Sequence, residues 1–149
     1  MPEIHYSHLF SYRPLPDFRE KPGYPNYFPA IPVRLVNRQD RAREKDVVAV
    51  LDSGAYVSVF DGEIASELGL NLCQGRPDSL NTASGETVRV WLHQIYIKLE
   101  GAADVLEIES EVAFTEARFS RNLLGRRDFF QALQIGFNEG AGEIYLEPM

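Results

Sequence analysis

An Asp-Ser-Gly-Ala tetrapeptide, Asp52-Ser53-Gly54-Ala55, stands directly after the run Val47-Val48-Ala49-Val50-Leu51 and directly before Tyr56-Val57-Ser58-Val59-Phe60. A carboxylate delivered by a rigid, buried strand into a tight glycine turn is held in place instead of moving freely in solvent. Backbone N–H groups and the Ser53 hydroxyl are at hand to orient it. Fixed position, partial desolvation and a hydrogen-bonded shell are what general acid–base chemistry asks of a carboxylate. The structural alternative is an Asp that only caps a turn, which Asp-Ser-Gly does readily.

The remaining reactive side chains form no second constellation. His5, His8 and His93 do not fall beside Asp or Glu at zinc-ligand spacing and read as surface or packed histidines. Cys73 has neither a neighbouring His nor a positive setting, and reads as a small core residue. There is no Gly-x-Ser-x-Gly and no phosphate loop; Gly140-Ala141-Gly142 is a turn. Trp91 reads as core packing. Nothing here asks for a metal or a cofactor.

The elements that must position Asp52 follow from periodicity. Ile31, Val33 and Leu35 alternate with Pro32 and Arg34, as in a half-buried strand. Residues 37–46 mix Arg38, Arg41, Arg43 and Lys45 with Asp40, Glu44 and Asp46, and alternating signs indicate a solvated hairpin tip. The β-branched run over 47–51 predicts a strand buried on both faces. Asp61 is placed as an N-cap for a short helix with Ile64, Ala65 and Leu68 on one face, ended by Gly69. Residues 79–88 read as two strands joined by a polar loop in which Gly85 supplies a permissive backbone. Val88, Val90 and Leu92 then give way to Ile95, Ile97 and Leu99 on the other parity, which suggests a bulge or a strand that changes faces. Leu106, Ile108, Val112 and Phe114 alternate with Glu107, Glu109 and Glu111, a strand with an acidic outer face. After Asn122-Leu123-Leu124-Gly125, a short helix is expected over 126–133, buried through Phe129, Phe130 and Leu133. A hairpin over 134–146 closes the domain. The pattern is mostly β with two short helices.

The first thirty residues differ. Seven of the nine prolines lie before residue 33, alongside Tyr6, Phe10, Tyr12, Phe18, Tyr24, Tyr27 and Phe28. Prolines at that density forbid helix, and aromatics at that density argue against free disorder. An extended arm lying on its own domain or on a partner subunit is expected. The chain of 149 residues has 44% hydrophobic and 25% charged residues, an ordinary composition for one domain burying roughly 68–70% of its unfolded surface. A net charge of −7 disfavours nucleic acid and anionic membrane surfaces as partners. The longest apolar run is far too short to span a bilayer. With no export signal visible and a single cysteine, a cytoplasmic protein is expected.

Asp52-Ser53-Gly54-Ala55 resembles the active-site motif of retroviral-type aspartic proteases, the retropepsin-like family. Leu123-Leu124-Gly125-Arg126 resembles that family's second signature, two apolar residues followed by Gly and often Arg. The order of elements agrees, and Ile64-Ala65-Ser66-Glu67-Leu68-Gly69-Leu70 is similar to the stretch after the active site in prokaryotic members. The resemblance covers about residues 30–147.

That resemblance implies a small closed acid-protease barrel, all-β, with a flap hairpin and two short helices, over residues 30–149, preceded by the arm at 1–29. It implies an aspartic-type endopeptidase acting on peptide or protein substrates without a cofactor. In that mechanism two carboxylates about 3 Å apart share one proton, because two like charges so close cannot both ionise. One activates a water and the other protonates the scissile carbonyl. Because the chain has one such motif, the second carboxylate would come from Asp52 of another copy in a two-fold homodimer.

Carried over by position, Asp52 would be catalytic, Ser53 would brace the two active-site loops across the dimer, and Gly54 and Ala55 would lie against the substrate backbone. Thr82, Ala83, Ser84 and Gly85 would form the flap tip. Leu124, Gly125 and Arg126 would be a structural motif. The viral counterpart of Arg126 pairs with an Asp four residues after the catalytic one, where this chain has Tyr56. Residues 143–146 would lie in the strand region that helps build the dimer interface. A protease-like dimer that binds an extended peptide by strand addition without hydrolysing it is the alternative. The intact Asp52-Ser53-Gly54 favours the enzyme. The arm, through residues 24–29, could also occupy the groove and make the chain latent.

Overall fold

Alternating apolar positions become strands throughout the computed structural model of the chain, which describes residues 6–15, 21–100, 104–116, 118–119 and 121–149. The strands are β1 (His8–Ser11), β2 (Ala30–Asn37), β3 (Glu44–Leu51), β4 (Ser58–Phe60), β5 (Arg76–Asn81), β6 (Thr87–Glu100), β7 (Val105–Thr115), β8 (Asn122–Leu124), β9 (Leu133–Asn138) and β10 (Glu143–Pro148). Helix α1 (Gly62–Glu67) follows β4. One sheet runs β2-β3-β8-β4-β7-β6-β5, and a further pairing of β2 with β6 closes six of those strands into a barrel. Closure leaves β5 outside the ring, paired only with β6 as a projecting hairpin. The second sheet is β1-β10-β9.

The barrel interior is filled by Ile31, Leu35, Ala49, Leu51, Phe60, Ile95, Ile97, Leu99, Phe114, Leu124 and Phe129, all buried. A second apolar cluster, Val57, Val59, Val90, Leu92 and Ala113, sits apart from it, with Leu80, Val88 and Leu123 packed alongside. Those two clusters explain the parity change in β6. The register of β6 against β7 runs unbroken from Val90↔Thr115 to Glu100↔Val105, so no bulge is present. Instead β6 leaves its pairing with β5 at Leu92 and takes up β2 at Ile95, and its buried face moves from the second cluster to the first. The strand changes cores.

Several sequence expectations are corrected. Only Ala49 and Leu51 of the 47–51 run are fully buried; Val48 and Val50 border a surface cavity of about 640 Å³ shared with α1 and Phe119. The helix expected over 126–133 is a loose turn ending in one 3-10 turn, Phe130–Ala132, because Asp128 adopts φ 64° and breaks the right-handed path. Cys73 is exposed rather than in the core, since it lies in a 3-10 turn, Leu72–Gln74, that buries none of its residues. Asp61 caps α1 as its position suggests, accepting from Glu63 N at 2.9 Å. Trp91 is buried.

In the arm, β1 pairs with β10, and Phe10 and Tyr12 pack on the barrel core. An isolated bridge joins Arg13 to Phe28, and the Pro29 carbonyl accepts from Leu51 N at 2.8 Å. Tyr24 and Tyr27 are exposed; Pro25, Asn26 and Tyr27 border the turn at 139–143 instead of crossing the Asp52 turn. His5 and Phe18 lie outside the described residues.

The charged hairpin tip between β2 and β3 is pinned to the acidic face of β7. Arg38 meets Glu109 at 3.1 Å and Arg41 meets Glu107 at 2.6 Å. The hydrogen bond from Arg41 holds the Glu107 carboxyl below its ordinary value of 4.5, and Arg34 does the same for Asp46. A carboxyl whose pKa is lower folded than unfolded stabilises in full above the unfolded value, and that contribution is lost as pH falls through the folded one. Glu107→Gln is therefore expected to lower Tm at neutral pH by about 1–3 °C, an exposed pair being worth little. The gap to the parent should close below about pH 3. Thermal melts at the two pH values decide it; a gap that persists in acid would show that Glu107 acts through packing alone.

Candidate active site

Asp52 is the first residue beyond β3, and its backbone is fixed before its side chain is considered. Leu51 pairs with Leu124 in the parallel ladder of β3 and β8, and Asp52 N donates to the Leu124 carbonyl at 2.9 Å. The chain then turns: Ala55 N donates to the Asp52 carbonyl at 3.1 Å, and Gly54 N donates to Asp52 Oδ1 at 2.8 Å. Asp52 as a residue is half-buried, while Ser53 and Gly54 are exposed. One oxygen is thus held by the turn and the other is left for chemistry, which is the arrangement a positioned acid or base needs.

A second strand end locks this turn. Arg126 N donates to the Ala55 carbonyl at 2.9 Å and Arg127 N to the Tyr56 carbonyl at 3.0 Å. Gly125 N donates to Oγ of the fully buried Ser58 at 2.9 Å. Gly125 has no room for a side chain: a Cβ there would lie 2.5 Å from the Val57 carbonyl carbon and oxygen. The Leu-Leu-Gly spacing therefore places a strand end and a side-chain-free residue against the exit of the Asp52 turn.

Thr82, Ala83, Ser84 and Gly85 form the tip of the β5–β6 hairpin. Thr82 N donates to the Glu86 carbonyl at 2.8 Å, Gly85 N to the Thr82 carbonyl at 3.0 Å, and Gly85 takes φ 86°. Thr82 Oγ1 and Ser84 Oγ lie 2.9 Å apart. Ala83, Ser84 and Gly85 are exposed and Thr82 half-buried. Among the described residues, the hydrogen bonds that reach the tip come from the hairpin's own turn.

Arg126 does not take the bracing position that its motif suggests. Its side chain is exposed, and no described residue pairs with it. The guanidinium that braces this corner belongs to Arg127: it lies 4.9 Å from the Tyr56 ring centroid and donates from Nη1 to Glu111 Oε1 at 2.7 Å. The Tyr56 side chain first, with Glu111 behind it, raises the Arg127 pKa above the ordinary guanidinium value. Tyr56, in the place of the acidic partner, offers a ring face instead of a carboxylate, and a planar guanidinium stacks on it. Sequence reasoning missed Arg127, Ser58 and Glu111. The signal for Ser58 was a hydroxyl inside an otherwise apolar stretch; Arg127 and Glu111 carry no local signal.

Around the turn, Ser53, Tyr56, Arg126, Arg127, Phe130 and Gln131 line a cavity of about 290 Å³. The larger cavity beside α1 contains no residue of the turn. Asp61 is committed elsewhere, its second oxygen accepting from Phe119 N at 2.9 Å. Residues 143–146 form the central strand of their sheet, with both edges already paired within the chain. Among the described residues no three His, Cys, Asp or Glu side chains converge as a metal site, and no helix is long and apolar enough to cross a membrane.

Solved structures share this architecture. A retropepsin-like aspartic protease from Rickettsia conorii superposes with a TM-score of 0.57 over 98% of this chain and 96% of that one, at 11% identity. EIAV protease complexed with the inhibitor HBY-793 matches 70% of this chain and 86% of that one at 21% identity, with a TM-score of 0.49. At such identities the first of these establishes a retropepsin-like fold. No curated protein sequence matches the chain. The aspartyl protease family model does match, over residues 36–126, from the end of β2 through the Asp52 turn and the projecting hairpin to Arg126. That stretch is more than half of the chain, and the chain belongs to the aspartyl protease family.

Proposed function

We propose that the protein is a homodimeric aspartic endopeptidase in which two copies of Asp52 meet across a two-fold axis. What carries the reading is the Asp52 turn itself: a carboxylate held through one oxygen by Gly54 N, on a chain that has one such motif. A single fixed carboxylate supplies either the base or the acid of the reaction but not both, so the second comes from another copy. The pair shares one proton and titrates as a unit. The ionised member takes a proton from the water between them as that water attacks the scissile carbonyl carbon. The protonated member donates to the carbonyl oxygen. Collapse of the resulting diol, with proton transfer to the amine nitrogen, breaks the C–N bond without any covalent enzyme intermediate.

In this reading the exposed Ser53 hydroxyl bonds across the dimer, Gly54 and Ala55 face the substrate backbone, and the tip at 82–85 folds down to exclude water. Residues 30–149 constitute the protease domain and 1–29 its arm. A lone, exposed thiol at Cys73 suits a reducing compartment, and the reading places the enzyme in the cytoplasm.

Dimer dependence gives the test. With a diverse peptide mixture as substrate, specific activity should fall steeply on dilution through the dimer dissociation constant, following the dimer fraction seen by sedimentation. Cleavage at an unchanged specific rate in a sample that sediments as monomer would remove the two-copy site.

A further inference from the structure

One side chain joins the two parts of the site that must act together, the fixed turn and the projecting hairpin. Glu111 lies on β7, one residue before β7 begins its parallel pairing with β4 at Val112. Its backbone N–H, at that transition, donates to Asp128 Oδ2 at 2.8 Å. Its carboxylate takes two guanidiniums on one oxygen: Arg127 Nη1 at 2.7 Å and Arg76 Nη2 at 2.9 Å. Arg127 belongs to the Asp52 turn, since its amide holds the Tyr56 carbonyl and its guanidinium covers the Tyr56 ring. Arg76 is the first residue of β5, at the root of the hairpin whose tip is 82–85.

We propose that Glu111 is a positioning residue that couples the root of the flap hairpin to the catalytic turn, so that a loosening of either is felt by the other. This rests on the reading of the turn and hairpin as an aspartic protease site. The physical basis is a single anion between two cations. With Glu111 ionised, each arginine is drawn to a common point. With the charge removed, the two guanidiniums repel and neither end has reason to follow the other. The Glu111 side chain is one-fifth exposed, less than Glu107 or Glu109 at the β2–β3 tip. Arg127 is about one-third exposed and Arg76 mostly open to water, so the Arg127 arm is the less screened of the two. Coupling through a shared partner is the case in which separate substitutions cease to add.

Amide hydrogen exchange on the full chain tests the coupling without requiring turnover. Exchange is read separately over residues 53–57 and 79–88, in the parent, Arg76→Met, Arg127→Met, Glu111→Gln and the double variants with Glu111→Gln. Arg76→Met removes the hairpin's hold from a mostly exposed side chain that reaches no residue of the Asp52 turn. It should nevertheless speed exchange at 53–57 by about two- to fivefold, and Arg127→Met should do the same at 79–88. In Glu111→Gln both cross-effects should vanish. Arg76→Lys keeps the cation, and because the contact is one bond from one nitrogen it should restore parent exchange at 53–57. Substitutions that loosen only their own side, or cross-effects that survive in Glu111→Gln, would overturn the coupling. A chain that shows the cross-effects yet cleaves nothing keeps this inference and loses the hydrolytic reading; cleavage without them does the reverse.

Discussion

Asp52→Asn is expected to abolish peptide cleavage, lowering kcat/KM about a thousandfold or more, while leaving fold and dimer intact. An asparagine side chain has the shape of aspartate, and its Oδ1 still accepts the Gly54 N–H that now lies 2.8 Å from the carboxylate. Neither the locking bonds from Arg126 and Arg127 nor the Ser58–Gly125 bond involves the side chain being changed. What disappears is the ability to take, hold and return a proton. An amide cannot act as the base, and it removes the negative charge that makes two neighbouring carboxylates share one proton. The loss should therefore appear in rate and not in Tm. If the site is built from two copies, as proposed, the variant is also a poison: excess Asp52→Asn mixed with parent should suppress activity beyond simple dilution, as mixed dimers would hold one carboxylate. A diverse peptide mixture from acidic to neutral pH, with melts run in parallel, provides the measurement. Cleavage by the variant at the parent rate would end the assignment of Asp52.

Gly125→Ala should be the most damaging single substitution for stability near the site. The added methyl would lie 2.5 Å from the Val57 carbonyl carbon and oxygen and 2.9 Å from the Ala55 carbonyl oxygen. All of these are backbone atoms of the segment leaving the Asp52 turn, so no side chain can swing aside to make room. Relief requires β8 to withdraw from β4, and that movement stretches both the Ser58–Gly125 bond and the pair that tie residues 126 and 127 to Ala55 and Tyr56. Overpacking against backbone with loss of buried hydrogen bonds costs about 3 kcal/mol or more. For a domain of this size that is a fall in Tm of about 10 °C. Activity should fall with it even well below the melting range, because the carbonyls that shift belong to the segment leaving the Asp52 turn. Melts are run at one fixed protomer concentration, since the apparent stability of the proposed dimer would depend on it. A variant with parent Tm and parent activity would mean that the close approach of β8 to the turn does not hold.

The two substitutions probe opposite properties. Asp52→Asn is expected to cost chemistry and spare folding. Gly125 does no chemistry, and its value lies in the side chain it lacks.

What the sequence determined by itself is what a few neighbouring residues settle among themselves. Asp52-Ser53-Gly54 forms its turn because a carboxylate oxygen reaches the amide two residues on. Asp61 caps α1 for the same reason, and the alternation at Ile31, Val33 and Leu35 has one buried face whatever it pairs with. Local bonds and local periodicity are complete within about a dozen residues, so they can be read without a fold.

The tertiary structure decided everything that depends on which distant segments meet. Arg127 rather than Arg126 braces the turn because closure of the barrel brings Glu111 and Tyr56 to the same corner. The helix expected after Gly125 gives way at Asp128, which takes φ 64° while its carboxylate accepts from the Glu111 amide on β7. The arm becomes a strand of the C-terminal sheet because β10, from the other end of the chain, offers it an edge. In each case a hydrogen bond or ion pair is available only once closure has brought its partners together, and no window of neighbouring residues contains that information.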